Sequence, residues 1–336
     1  MEADSTAPAP GLRSYYYDPA GALHTGLTFD AVRAALAEPH ALLWLDLAAD
    51  GREDGERILR EIFDFHPLTI DDCYNTLIDP PKVDDYGSYL FVIVHDVHYD
   101  ARAHVLSTSE LNLYIGANYV VSVHRAAVHA VEDVCRRADA HSLVLQRGAA
   151  FLAHALIDVV VDDFHPIVEK LDEEVAELEE EVLDNPRRET LEAVLLLKRN
   201  AQRLKRSILP QRDVMNRISR NEYPNLVQPH AIMYFRDIYD HTVRVEEMID
   251  TIRDLGDSAL STYLSSVNNR INEVMKALAV VTVVFLPLTL IASIYGTNFH
   301  HTIPEYDITG GFAGMLASMV LTLVVLFSYF RWRRWF

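Results

Sequence analysis

The sequence predicts an α/β domain joined through a long helical stalk to two closing membrane helices. Three observations carry this expectation. Runs rich in β-branched and aromatic residues fall before about residue 148, strand signals vanish after it, and two uncharged stretches, 277–295 and 308–330, lie near the C-terminus. Each stretch is about as long as an α-helix must be to cross bilayer hydrocarbon.

With 336 residues the chain has room for two or three structural units. Its formal net charge of −19 argues against nucleic acid as a partner, because phosphate binding needs a basic face. The same acidity suits a protein that gathers cations, or one that only needs a soluble surface. Cys73 and Cys135 show neither CxxC nor zinc-type spacing, so a reduced compartment is expected. Residues 1–13 lack the apolar core of a signal peptide and read as a disordered lead-in.

Residues 14–148 form the expected α/β domain. Thr28 is the N-cap of a helix with apolar residues at helical spacing. Residues 41–47 and 88–99 read as strands, and 110–125 as two strands joined across Gly116, Ala117 and Asn118. A further helix follows over 126–142. The stalk, 149–273, begins with an acidic helix running to an Asn185-Pro186 turn. A basic arm returns, and charge attraction predicts that the two arms pair. From near Ile232 to Tyr295 one helix of more than 60 residues is expected, with Gly256 its lone glycine before Pro287. At about 1.5 Å per residue it spans roughly 95 Å.

Its last part, 274–296, is the first membrane helix; an external loop, 297–307, and a second helix, 308–330, precede a basic tail, 331–336. The loop holds His300, His301, Glu305 and Asp307 but no Lys or Arg, whereas Lys276, Arg331, Arg333 and Arg334 flank the helices. The positive-inside rule therefore puts both termini in the cytoplasm of a multi-pass protein of the cell (inner) membrane, with Trp332 and Trp335 as interfacial anchors. Gly310 and Gly314 suggest close packing of the second helix on the first.

At heptad spacing the first membrane helix carries one seam of slim and polar side chains: Asn268, Asn272, Met275, Ala279, Thr282, Leu286, Thr289 and Ser293. Val283, Val284, Phe285, Leu290 and Ile291 beside it are bulky and read as lipid-facing. One competing reading is that Thr and Ser bond back to their own helix and mediate packing. A polar seam continuing into Asn272 and Asn268 favours a pore axis instead. One helix cannot enclose a channel, so a homo-oligomer is required.

These residues resemble a known family. The stretch 263–299, YLSSVNNRINEVMKALAVVTVVFLPLTLIASIYGTNF, is similar to the signature of the CorA-type divalent metal channels. HPLTIDD at 66–72, PKVDDYGSYLF at 81–91, IDVVVDDF at 157–164, EEEVLDNP at 179–186 and RDIYDH at 236–241 also resemble that family. The resemblance implies a funnel-shaped homopentamer with an inner ring of first helices in the bilayer. It implies that Asn298, within Tyr295-Gly296-Thr297-Asn298, forms the outer ring that meets a hydrated ion. Asn272, Met275, Leu278, Thr282, Leu286, Thr289 and Ser293 would line the pore, with Met275 and Leu278 as its apolar constriction. It further implies regulatory Mg2+ between protomers, with Asp72 opposite Asp237 of the neighbouring subunit and Asp71 and Asp158 close by.

The family pattern has Met where Thr297 stands, and His300-His301 replaces its usual acidic start of the loop. Imidazole favours zinc, nickel or cobalt over magnesium. Three functions are therefore weighed. The first is a channel for Mg2+, with Co2+ or Ni2+ as further cargo, closed by cytoplasmic Mg2+. The second is a proton-coupled transporter of Zn2+ or another transition metal on the same fold. The third is a non-conducting, membrane-anchored metal sensor or scaffold. No nucleotide loop, nucleophile motif or HExxH is found, so an enzyme is not expected.

Overall fold

The computed structural model describes residues 12–48, 52–141, 143–184, 186–296 and 311–333, and divides into compact units at Ser261 and Thr262. The first unit is built on one seven-stranded sheet. In chain order its strands are β1 (Leu12–Tyr17), β2 (Leu23–Thr25), β3 (Leu42–Ala48), β4 (Lys82–Asp85), β5 (Leu90–Asp100), β6 (Val105–Ile115) and β7 (Tyr119–His124). They lie side by side as β2-β1-β3-β7-β6-β5-β4, and only the β3–β7 pair is parallel.

The expected strands are present, and the turn across 116–118 closes with the Gly116 amide donating to the Tyr119 carbonyl at 2.9 Å. Helix α1 (Phe29–Leu36) starts where expected: Thr28 is its N-cap and accepts from the Ala31 amide. Three strands are not visible in the hydrophobic pattern. β4 reads Lys-Val-Asp-Asp, a charged edge strand, and charge at an edge discourages pairing with other chains. β1, Leu-Arg-Ser-Tyr-Tyr-Tyr, and β2, Leu-His-Thr, are too short and irregular for an alternation to show, and they pair outward from β3. β1 begins at Leu12, so the lead-in read over 1–13 lies outside the described residues up to residue 11.

Alternation along the central strands feeds two cores. Leu42 and Trp44 point to one face with Leu90, Val92 and Leu113, beneath α4 (His129–Ala140), α5 (Leu143–Gln146) and α6 (Ala149–Asp162). Leu43, Leu45 and Leu47 point to the other with Phe91 and Tyr114, beneath α1 and α3 (Pro67–Tyr74). Between α1 and α3 lie α2 (Arg52–Arg57) and a π-helical turn, Ile58–Ile62. Asp46, buried in β3, accepts from the Ser122 hydroxyl at 2.7 Å and pairs with Arg13 and His124.

The acidic arm is two helices rather than one. α6 stops at Asp163 and α7 runs Phe164–Asp184, because Pro166 lacks the N–H and its ring opposes the carbonyl one turn back. α8 (Arg188–Ser219) and α9 (Pro229–Tyr295) follow, and Phe164, Leu171, Leu204 and Ile249 close a third core among α7, α8 and α9. The expected charge pairing of the two arms is redirected. Lys198 pairs with Asp257, Lys205 with Asp250 and Arg212 with Glu246 at 2.6 Å, so the basic arm binds α9. Burial decides this: α7 turns its apolar residues inward and leaves Glu173, Glu177 and Glu180 in water. Gly256 lets α8 approach α9, since a Cβ there would stand 3.0 Å from the Lys198 Cγ.

In the second unit α9 continues without a break to Tyr295 as part of a 67-residue helix, and α10 (Gly311–Trp332) is its companion. Both are long and apolar enough to cross a membrane, and none of either apolar window is buried in the single chain. Gly314 has open space where a Cβ would sit, so the close-packed face expected of Gly310 and Gly314 is not formed there, and Gly310 lies outside the described residues. The half-buried stripe of α10 is instead Met315, Ser318, Thr322 and Leu326.

Phe164→Ala should destabilise the first unit by about 3–5 kcal/mol, the cost of an unfilled core site. The exposed Leu183→Ala should change stability by less than about 0.5 kcal/mol. Urea unfolding of the detergent-solubilised chain followed by circular dichroism checks both.

Candidate ion path and acidic sites of the first unit

Successive residues of an α-helix turn by about 100°, so positions on α9 can be assigned to faces. Val280, Val284, Pro287, Leu288 and Ile291 are half-buried and share one side. Asn272, Met275, Leu278, Thr282, Leu286, Thr289 and Ser293 are all exposed and centre on the opposite side. Ala279, which heptad spacing places in the same seam, is half-buried. Val284 and Ile291, read from the sequence as lipid-facing, belong to the half-buried stripe.

The Thr282 hydroxyl donates to the Leu278 carbonyl at 2.9 Å and that of Thr289 to the Phe285 carbonyl at 2.8 Å. The packing-type back-bond is therefore present. It commits each proton to the helix and leaves the oxygen lone pairs as acceptors on the exposed seam, which suits contact with the water shell of a cation. At the end of α9 the Gly296 amide donates to the Ala292 carbonyl at 2.9 Å. Thr297, Asn298, His300 and His301 lie outside the described residues.

The four aspartates expected to bind regulatory metal fall into two places. Asp71 and Asp72 sit in the second turn of α3, beyond the His66 N-cap and Pro67. Asp72 Oδ2 is 2.7 Å from Lys82 Nζ on β4, and Asp71 is exposed. Burial opposes the Lys82 charge, but its bonds to Asp72 and Asp84 leave its pKa raised. Asp158 lies on α6 and Asp237 on α9, one turn before His241. His241 Nδ1 is 3.5 Å from Asp162 Oδ1, and its Nε2 is 3.9 Å from Asp237 Oδ1. Ligand atoms of Asp158, Asp162 and His241 all lie within 4.8 Å of one another. Burial lifts the Asp158 carboxyl above its ordinary value and pulls the neighbouring His154 below it.

Three residues near these sites are absent from the sequence reading. Lys82 neutralises Asp72, and Asp162 and His241 adjoin Asp158. For the last pair a signal existed: Asp158 and Asp162 are four apart on one helix, as are Asp237 and His241 on another. Only the packing of α6 beside α9 shows that the two pairs meet.

A model of the CorA-like Mg2+ transporter protein family matches residues 39–334. This chain belongs to that family. It is 35% identical over 293 residues to a cobalt/magnesium transport protein of Thermotoga maritima, covering 87% of this chain and 83% of that protein. It is 31% identical over 297 residues to a putative metal ion transporter of Bacillus subtilis, covering 88% and 90%. Among solved structures, the complete CorA magnesium transporter of Methanocaldococcus jannaschii superposes with a TM-score of 0.81 at 22% identity, covering 95% of this chain and 97% of that one. The full-length CmaX protein superposes at 0.76 and 21%, covering 98% and 100%. These likenesses bear out the expected fold: an α/β domain, a long helix and two apolar helices. A family member with two such helices is a membrane protein.

Glu110 on β6 accepts from the Asp79 amide, and burial raises its carboxyl to about 7. Burial and the nearby Asp163 charge raise Asp96 to about 6. Each raised value favours the protonated acid in the folded chain. Its contribution is complete below the unfolded value, near 4, and is lost as pH rises through the folded one. Stability should therefore fall between about pH 4.5 and 7, and Glu110→Gln should flatten that fall, leaving the part due to Asp96. Urea midpoints across this range check it.

Proposed function

We propose that the chain is a divalent cation channel of the cell (inner) membrane, working as a homopentamer with both termini in the cytoplasm and α9 as its inner ring. Its main cargo in this reading is Mg2+, with Co2+ or Ni2+ as further cargo. The observation that carries it is the exposed seam of α9, from Asn272 to Ser293, opposite the half-buried stripe, in a member of a family named for Mg2+ transport. The names of the Thermotoga maritima and Methanocaldococcus jannaschii relatives, both cobalt/magnesium transport proteins, support the same cargo.

In this assembly Asn298 and its neighbours Tyr295, Gly296 and Thr297 form the outer mouth. Mg2+ sheds water reluctantly, so an amide ring that hydrogen-bonds the intact water shell suits it. Thr282, Thr289 and Ser293 continue that role with hydroxyl oxygens. Met275 and Leu278 form an apolar narrowing that closes by dewetting. Inward movement of a divalent ion gains about 4.6 kcal/mol per 100 mV of membrane potential, twice the single-charge value.

Asp72, Asp71, Asp158 and Asp237 are the proposed regulatory set, with Asp72 meeting Asp237 of a neighbouring protomer. Their chemistry fits Mg2+: all are hard carboxylates, Asp71 and Asp237 are exposed, and the burial that raises Asp158 is relieved by a nearby cation. Carboxylates crowded at an interface repel one another, and a bound divalent ion would offset that repulsion and favour the closed arrangement. Thr297 and the His300-His301 pair give a zinc-carrying, proton-coupled transporter its place as the second reading.

Purified protein in liposomes should admit Mg2+ without a pH gradient, with Co2+ and Ni2+ also entering. Zn2+ entry that needs a pH gradient, without Mg2+ entry, would favour the second reading. No flux of any of the four ions would leave only a sensor or scaffold. The Asp72→Ala, Asp237→Ala double variant should keep most of its flux at internal Mg2+ that slows the parent about tenfold, a coupling of ordinary size. Undiminished inhibition in that variant would remove these aspartates from the regulatory role.

A further inference from the structure

Away from the aspartates, a cavity of about 220 Å3 opens between the β5–β6 turn and the α7–α8 pair. Glu174, Glu177, Glu181, His104 and Asn200 supply its polar lining, and Leu178, Leu196 and Leu197 its apolar wall. Among the described residues no lysine or arginine lines it. Glu174 is 9% exposed, and the Tyr99 hydroxyl fixes it by donating at 2.8 Å. His104 Nδ1 lies 3.2 Å from the same carboxylate. Glu177 and Glu181 are exposed at the rim, three and seven residues along α7, so all three carboxylates fall on one side of the helix.

Asn200 reports on what the cavity lacks. It is 1% exposed, and its Nδ2 donates to the His104 carbonyl at 2.8 Å. Its Oδ1 is buried with no hydrogen-bond donor among the described residues. A buried acceptor without a donor is unfavourable, and three carboxylates without a lining cation add repulsion to that cost. A ligand that brings both donors and positive charge relieves both.

The spacing of the acceptors selects the kind of cation. A bare divalent ion needs its ligand atoms drawn together around one point. Among the described residues, the one group of three or more His, Cys, Asp or Glu side chains converging in that way is Asp158, Asp162 and His241. Glu174, Glu177 and Glu181 are instead spaced along α7, with His104 beside the first of them. Separated acceptors beside a leucine wall match ammonium groups separated by methylenes: each ammonium carries its own donors, and the methylene stem takes the apolar surface.

We propose that this cavity is a binding site for an aliphatic polyammonium ion, with its carboxylates and Asn200 Oδ1 receiving the ammonium groups. The site shares no residue with the proposed ion path or with the aspartates, so it does not depend on the cargo. Its test is isothermal titration of the full chain in detergent with spermidine, at about pH 8, where a free imidazole is neutral, and in physiological salt, where loose surface attraction is screened. Saturable binding of one spermidine per chain is expected, weakened about tenfold or more by the Glu177→Gln, Glu181→Gln double variant through loss of charge-assisted hydrogen bonds. Glu173→Gln, on the same helix but outside the cavity, removes the same kind of charge and should leave the affinity unchanged. Thermal unfolding of each variant confirms that it is folded. The proposal fails if spermidine shows no saturable heat, if Glu173→Gln weakens binding as much as the double variant, or if Mg2+ alone binds there more tightly and loses affinity in the double variant.

Discussion

Lipid offers the backbone no hydrogen-bond partner, so the part of α9 that crosses a membrane must satisfy its own peptide groups. Everything else about this chain follows from keeping that helix intact over 67 residues. Pro287 withholds the amide that would serve the Val283 carbonyl, yet the helix continues past it. A single open carbonyl is tolerable, whereas a loop at membrane depth would leave several. The two threonine back-bonds belong to the same economy. They bind two hydroxyl protons into the helix and leave those two oxygens as acceptors on its exposed side. For a hydrated cation that is a compatible surface, and for an anion it is a poor one.

The part of α9 within the first unit is held by a different balance. Its acidic residues Glu246, Asp250 and Asp257 meet the basic residues of α8, and an apolar core lies alongside. Pairs at a surface contribute little each, so the core carries most of the stability and the pairs fix how α8 lies on α9. With α8 already matched to α9, the carboxylates of α7 are left to water and to the cavity beside the β5–β6 turn. The net charge of −19 is thus not spread evenly over equivalent surfaces. One acidic face is neutralised within the chain, and others remain open to cations.

The sheet is legible in the sequence where it is apolar on both sides. β3, β5, β6 and β7 are central and hydrophobic, so their residues announce them. β1, β2 and β4 lie at or near the edges, where polar residues are tolerated and no periodic signal survives. The acidic arm reads as a single helix because one proline near a helix start is easily taken as internal. The candidate aspartate site is half legible. Motifs point to Asp72, Asp158 and Asp237, but Lys82 beside Asp72 comes from a neighbouring strand and no local pattern announces it.

By itself the sequence determined the properties that depend on local repetition. These are two apolar helices, the seam along one of them, the central strands and an overall acidity that argues against nucleic acid. All rest on period or composition, which need no knowledge of what packs on what. Tertiary structure alone decided the pairings. It turned basic side chains of α8 toward α9 while α8 still packs on α7, set His241 beside Asp158 and Asp162, and buried Asn200 with an acceptor unmet among the described residues. Contacts between residues far apart in the chain depend on which faces are buried, and burial is a property of the packed molecule rather than of any one stretch.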